Sequence, residues 1–171
     1  LKYDITSDFF IKGFSGRQKN LFGQYGAVVS GWNAEAYFSF GEEKSWSINP
    51  GIGMVLKNLD DQTVASLVNV LSTYNPVDSI GSRYNTFAFT LYNTLNLGNF
   101  TWYIEGAYKK PENFFDPRAE RTLFNGGTTL GKFVLEPGTV AYSSLSYANE
   151  GLGISLEAKR TENFTFRADP F

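Results

Sequence analysis

Residues Leu95 to Tyr108 read L-N-L-G-N-F-T-W-Y-I-E-G-A-Y, an alternation of apolar and polar positions broken once by Gly98-Asn99. Gly-Asn between two alternating runs predicts a hairpin with a two-residue turn of the primed type, because such turns need positive φ at their centre. Closing the chain there sets Leu97 opposite Phe100, Leu95 opposite Trp102, Asn93 opposite Ile104, Leu91 opposite Gly106 and Phe89 opposite Tyr108. The other face then pairs Thr94 with Tyr103, Tyr92 with Glu105, Thr90 with Ala107 and Ala88 with Lys109. A slip of one residue would mix the two sets, so the pattern itself specifies the register.

The same sorting recurs along the chain. Leu1, Tyr3, Ile5, Phe9 and Ile11 alternate with Lys2, Asp4, Thr6, Asp8 and Lys12. Val28, Trp32, Ala34, Ala36, Phe38 and Phe40 share one face, with Asn33, Glu35, Tyr37 and Ser39 on the other. A loop over Gly41–Ser45 sets Phe40 against Trp46 and Phe38 against Ile48, and Ile52, Met54 and Leu56 continue that apolar face. Near the C-terminus, a loop over Thr161–Asn163 pairs Arg160 with Phe164, Ala158 with Phe166 and, on the polar side, Glu157 with Arg167. The turn around Asn149-Glu150-Gly151 fits either a two-residue loop or a loop with a Gly bulge. The former aligns Leu145 with Ile154 and Tyr147 with Leu152.

Eight strand-like segments result, near 1–14, 25–40, 46–57, 84–97, 100–109, 138–148, 151–160 and 163–169. Most are about 10 or more residues long, which fits membrane strands of about 9–11 better than the five or six common in soluble sheets. Two connections are long. In 58–83, Val64, Leu67, Val68 and Leu71 fall at helical spacing behind Asp60-Asp61, which predicts a short helix over 61–73, though the valines also suit a strand. The stretch 110–137 carries Pro111, Pro117, Pro137 and three glycines, and reads as a loop with room for one extra strand near 128–135. The fold expected is therefore all-β: an antiparallel transmembrane β-barrel of meandering hairpins, or a portion of one, in a single domain over 1–171.

Composition sharpens this picture. Aromatic residues make up 17% of the 171 residues, about twice the share in an average soluble domain. The mean hydropathy is only −0.24, as expected when a strongly apolar face alternates with a polar one. The apolar face carries Trp32, Phe38, Phe40, Trp46, Phe89, Trp102, Tyr108, Phe164 and Phe166, which are the expected lipid-facing aromatics. Aromatics at strand ends form interfacial girdles more often than sugar-stacking sites. Glu35, Glu105, Glu157, Lys159 and Arg167 lie on the polar face. They are first a lumen lining that fills space and fixes register, and only second a path for a solute.

Several chemistries are excluded. There is no Cys, hence no disulfide, zinc thiolate or thiol nucleophile. There is no His, which removes the Ser-His-Asp triad and most catalytic zinc sites. A net charge of −2 gives no case for nucleic acid. No phosphate-binding Gly-rich loop opens a helix, and no spacing singles out a carboxylate pair for glycoside hydrolysis. Glu112, Asp116 and Glu120 match no calcium loop, and the charged run Lys109–Thr122 reads as a solvated surface loop. No run of about 18 apolar residues predicts a transmembrane helix. No leader precedes the first strand, so the chain reads as a mature or internal piece.

The stretch F-V-L-E-P-G-T-V-A-Y-S-S-L-S-Y-A-N-E-G-L-G-I-S-L-E-A-K-R-T-E-N-F-T-F-R-A-D (133–169) resembles an uncharacterised family of Bacteroidota outer-membrane β-barrel proteins. The shared elements are Pro137-Gly138, then Gly151–Arg160, then the Asn163–Arg167 motif N-x-x-F-R. I-K-G-F-S-G-R-Q (11–18), G-Q-Y-G-A-V-V-S-G-W-N-A-E (23–35) and I-E-G-A-Y-K-K (104–110) are similar to that family's middle region and to its E-Y-x-x-K strand. The resemblance implies a longer parent barrel in the bacterial outer membrane and brings no catalytic residues. The expectation is a non-enzymatic barrel, channel-like or a structural subunit of an envelope complex. It has no cofactor or metal, and its partners are membrane lipid and other outer-membrane or envelope proteins. The alternative from another class is a secreted soluble β-sandwich that binds carbohydrate through surface aromatics.

Overall fold

The computed structural model describes residues 1–19, 26–42 and 45–164. Nine strands form one antiparallel sheet: β1 (Lys2–Thr6), β2 (Phe9–Lys19), β3 (Gly26–Ala36), β4 (Phe38–Phe40), β5 (Trp46–Leu59), β6 (Asn85–Leu97), β7 (Phe100–Thr122), β8 (Thr128–Asn149) and β9 (Leu152–Glu162). The order is β1-β2-β3-β5-β6-β7-β8-β9, with the short β4 continuing β3 alongside β5. Every neighbour in space is thus the neighbour in sequence, a pure meander. The edges β1 and β9 are not paired with each other, so the sheet is open among the described residues. It is nevertheless curled: Lys2 on β1 and Phe164, just past β9, border the same 710 Å³ hollow on its inner side.

The hairpin at Gly98-Asn99 has the predicted register at every position from Leu97↔Phe100 to Ala88↔Lys109. Phe40↔Trp46 and Phe38↔Ile48 also pair as expected, and the helix forms over Asp61–Ser72, here α1. Other expectations are corrected. Segment 1–14 is not one strand. It turns back at Ser7-Asp8, where the Thr6 hydroxyl accepts from the Asp8 amide at 3.2 Å. Tyr3 then pairs with Ile11, which leaves the faces unchanged. The strand also continues through Lys19, whose Ser-Gly-Arg-Gln-Lys run shows no alternation.

The turn before β9 is Glu150-Gly151, with Leu145 opposite Leu156 and Tyr147 opposite Ile154. Both turn residues have positive φ, 23° and 89°, and a primed turn places Gly in its centre rather than in the following strand. The shift is two residues in register, so each side chain keeps its face. The chain also stays in strand through Thr161 and Glu162, so the loop expected over Thr161–Asn163 does not begin there.

The largest correction concerns 110–137, where the extra strand near 128–135 does form, as the start of β8, but the rest is not a loop. The stretch is a two-stranded ribbon, the continuation of β7 and β8 beyond the sheet, closed by a turn near Asn125-Gly126. The prolines mislead because each falls where the ladder is irregular. Register shifts lie between Lys109 and Glu112 and between Asp116 and Glu120, which brackets Pro111 and Pro117. Pro lacks the donor a ladder needs and is tolerated at such bulges.

Helix α1 packs on this ribbon. Asp60 caps it by accepting from the Thr63 amide at 2.9 Å and the Thr63 hydroxyl at 2.7 Å, and that hydroxyl accepts from the Gly26 amide at 2.8 Å, which ties the helix start to β3. Leu67 and Phe133 are wholly buried, joined by Tyr74 and flanked by Leu59, Val70, Leu71, Ile80 and Phe115. Phe133 donates its amide to the Tyr74 hydroxyl at 2.7 Å. Helix and ribbon form a cap at one end of the sheet. The tight turns at Ser7-Asp8, Gly98-Asn99 and Glu150-Gly151 lie at the other.

Candidate functional site

The paired registers generate continuous rows across the sheet. One inner row runs Glu35, Gly51, Tyr92, Glu105, Tyr142, Lys159, one residue from β3 and one from each strand from β5 to β9. The row therefore brings Glu35, Glu105 and Lys159 to one level, as alternation predicts. Glu157 lies two residues from Lys159 on β9 and points to the same face, while Arg167 lies outside the described residues.

The two carboxylates are held by neutral donors. Tyr92 donates to Glu35 at 2.7 Å, and Asn33 donates to both Glu35 and the Tyr92 hydroxyl at 2.8 Å. Thr90 and Tyr103 donate to Glu105 at 3.0 and 2.9 Å. Gly51 makes the first of these networks possible. A Cβ there would sit 2.2 Å from the Tyr92 ring, so the ring lies over β5 and its hydroxyl reaches across to β3. The Tyr92, Tyr103 and Tyr142 rings follow one another at 6.4 and 5.8 Å. Alternation places these tyrosines on the polar face, but their pairing with the glutamates becomes visible only when Gly51 is known to lie beneath Tyr92.

A second charged group lies where sheet meets cap. Glu112 accepts from Lys57 at 3.1 Å and from Lys109 at 2.7 Å, and all three side chains are buried. The surface-loop reading of Lys109–Thr122 fails at this point. The bulge after Lys109 lets the ribbon carry Glu112 back between two strand lysines. Asp78 of the cap accepts from Lys132 at 2.7 Å and from the Thr122 amide at 2.6 Å. These bonds hold its carboxyl below the usual 3.8. Burial works against ionisation of Asp60, yet the Thr63 hydrogen bonds, helped by Arg17 and Lys19, outweigh it and lower its pKa.

The outer face carries Trp32, Phe38, Phe40, Trp46, Phe89, Trp102 and Tyr108, all more than a third exposed. Five of the seven fall in two rows, while Phe38 and Trp102 lie between them. Phe40, Trp46, Leu97, Phe100 and Tyr147 align near the tight turns, with Phe40 stacked on Trp46 at 4.2 Å. Trp32, Met54, Phe89 and Tyr108 align toward the cap. Ile48, Ile52, Leu91 and Leu95 fill the interval together with Phe38 and Trp102, interrupted by Asn93 and Ser143. The eight residue steps from Phe89 to Leu97 span about 27 Å along a strand.

Phe164 departs from its expected place on the lipid-facing side. Gly138 pairs with Lys109 and so faces inward. A Cβ on Gly138 would meet the Asn163 carbonyl oxygen at 2.6 Å and the Phe164 Cα at 3.0 Å. The chain therefore turns inward at Asn163, which has a φ of 46°, and Phe164 lies on the inner side. Phe166 lies outside the described residues.

Pro137-Gly138 and Asn163, two elements of the resemblance, thus meet in space, and the Asn163 amide also donates to Glu136 at 2.6 Å. Residues 1–170 match the model of a family of unknown function, DUF6029. The chain belongs to that family. No curated protein matches it, and no solved structure does. Membership in DUF6029 brings no assigned chemistry to the inner row, which must be read from its own geometry.

Proposed function

We propose that this DUF6029 chain forms wall and cap of a non-enzymatic β-barrel in the bacterial outer membrane, where it serves as a channel-like protein or as a structural subunit of an envelope complex. The observation that carries this reading is the outer face: two aromatic-bearing rows about 27 Å apart along the strands, with mostly apolar side chains between them. At a barrel's tilt of about 40° that interval becomes about 20 Å, near the roughly 25 Å apolar band of outer-membrane barrels. Tight turns at one end and the large elaborations at the other match the short periplasmic turns and long external loops of such proteins. The resemblance to Bacteroidota outer-membrane barrels points the same way.

The β-sandwich alternative needs a second sheet over the apolar face, and among the described residues none packs there. Glu35 and Glu105 are held by neutral hydroxyl and amide donors, an arrangement that suits a fixed lining better than acid–base chemistry. The experiment is fractionation of cells expressing the full-length gene product, followed by planar-bilayer recording of the purified protein. The expected result is recovery in the outer membrane, with surface protease cutting the ribbon turn near Asn125. Steady conductance selects the channel; a silent barrel that co-purifies with other envelope proteins selects the structural subunit. A soluble monomer that needs no detergent overturns the membrane reading.

A further inference from the structure

The inner face is not uniformly polar. Beside the Glu35–Lys159 row, Phe14, Val55, Ala88, Ala107 and Val140 line a 710 Å³ trough that crosses the sheet from β2 to β8. That volume is within the range of about 300–1,000 Å³ typical of small-molecule sites. Its few polar neighbours are already engaged: Asn33 is bonded to Glu35 and Tyr92, and Thr90 to Glu105. The central strands have their backbone groups paired, so a peptide would find no free ladder to join. What the floor offers is a smooth apolar surface.

One end of the trough is charged. Lys2 and Lys12 sit directly opposite each other on β1 and β2 and both border the hollow. Like charges in that position repel. Lys2 has Asp4 at 2.6 Å, whereas Lys12 has no acidic partner among the described residues. Its ammonium rests 4.6 Å from the Phe10 ring centre, as Lys2's does at 4.7 Å. From Lys12 to Val140 the trough crosses five strand spacings, about 24 Å along the sheet.

We infer that the trough binds a single-chain amphiphile with an anionic head, its head at Lys2 and Lys12 and its alkyl chain along Val55, Ala88, Ala107 and Val140. Charge complementarity selects the head, and the lack of unsatisfied polar groups on the floor selects the chain. The site depends on the inner face alone, so it holds whether the outer face meets lipid or another protein. Glu105, far from the lysines at the other part of the trough, also disfavours an anionic head there and so fixes the orientation.

The test uses the full-length protein in zwitterionic lipid discs and two photoreactive probes of equal chain length, one a long-chain carboxylate and one the corresponding alcohol. Cross-links are mapped to single residues. Any membrane lipid marks outer positions such as Ile52 and Leu91; trough occupancy marks inner ones such as Gly53, Val55 and Ala88. The expected result is saturable carboxylate labelling of the inner set, competed by unlabelled carboxylate. K12E lowers that labelling roughly fivefold and leaves alcohol labelling unchanged. A107L narrows the floor and lowers both. Labelling restricted to the outer set, or carboxylate labelling indifferent to K12E, overturns the inference. Should the protein prove soluble, the same probes are applied in buffer, and the membrane reading then fails without deciding the trough.

Discussion

The wall and the cap bury their apolar residues in opposite ways. In the cap, Leu67 and Phe133 are fully enclosed by the protein itself. In the wall, Leu91 is 55% and Leu156 67% exposed, and β9 is exposed at every position. The cap is a small, conventional core of one helix on one ribbon. The wall is a single layer whose apolar face has no protein partner among the described residues. Burial of apolar surface is the main drive to fold in water, so a layer that leaves such a face uncovered implies an environment that covers it. On the proposed membrane reading, the same chain is built for two solvents.

The predictions act on that contrast, and stability is read by denaturant unfolding of the folded, detergent-solubilised full-length protein. The junction comes first. E112A leaves Lys57 and Lys109 buried without their shared carboxylate, an effect of about 3–5 kcal/mol, and is expected to detach the cap before the wall unfolds. Next is a matched pair. L67A in the cap costs about 2–5 kcal/mol. L91A removes the same atoms from the outer face and costs less, about 1–2 kcal/mol, because detergent fills the space and no cavity term is added. Equal losses at the two sites would erase the distinction between wall and cap.

Inside the wall, G51V drives a branched side chain into the Tyr92 ring and is expected to cost about 1–3 kcal/mol. It also frees the Tyr92 hydroxyl from Glu35, which a change in tyrosine fluorescence would register. In the cap, D60A removes the α1 N-cap at about 1 kcal/mol, read as faster amide exchange over Asp61–Ser72.

The smallest effect is one of pH. Asp78 has a folded pKa below its ordinary 3.8. Its contribution is fully present above that ordinary value and is lost as pH falls through the lower folded one. Cap stability should therefore be level above about pH 5 and drop in stronger acid, and D78N should flatten that drop.

How much of this was legible follows from the range of the signals. Alternation is local, so the Phe89–Tyr108 pairing and the Phe40–Trp46 contact could be read from the chain alone. Helix α1 announced itself through Asp60 and the spacing of Leu67 and Leu71. The ribbon did not, because Pro111 and Pro117 look like strand breakers until their bulges are known. The Gly151 turn was misplaced by one position because both settings keep every face intact, and only positive φ decides between them.

At the inner row, alternation put Glu35 and Glu105 on the polar face. It could not give the Tyr92–Glu35 bond, which spans two strand spacings over Gly51. The buried Lys57–Glu112–Lys109 group was illegible for the same reason: Lys57 and Glu112 lie 55 residues apart in sequence.

The central claim is that the outer face meets lipid. Spin labels placed singly at Leu91 and Leu95 on the outer face, and at Thr94 and Ala107 on the inner one, in the full-length protein in lipid vesicles, test it directly. The expected result is alternation: outer labels relaxed by oxygen and shielded from a water-soluble nickel reagent, inner labels the reverse. Outer labels as open to the nickel reagent as the inner ones would contradict the account.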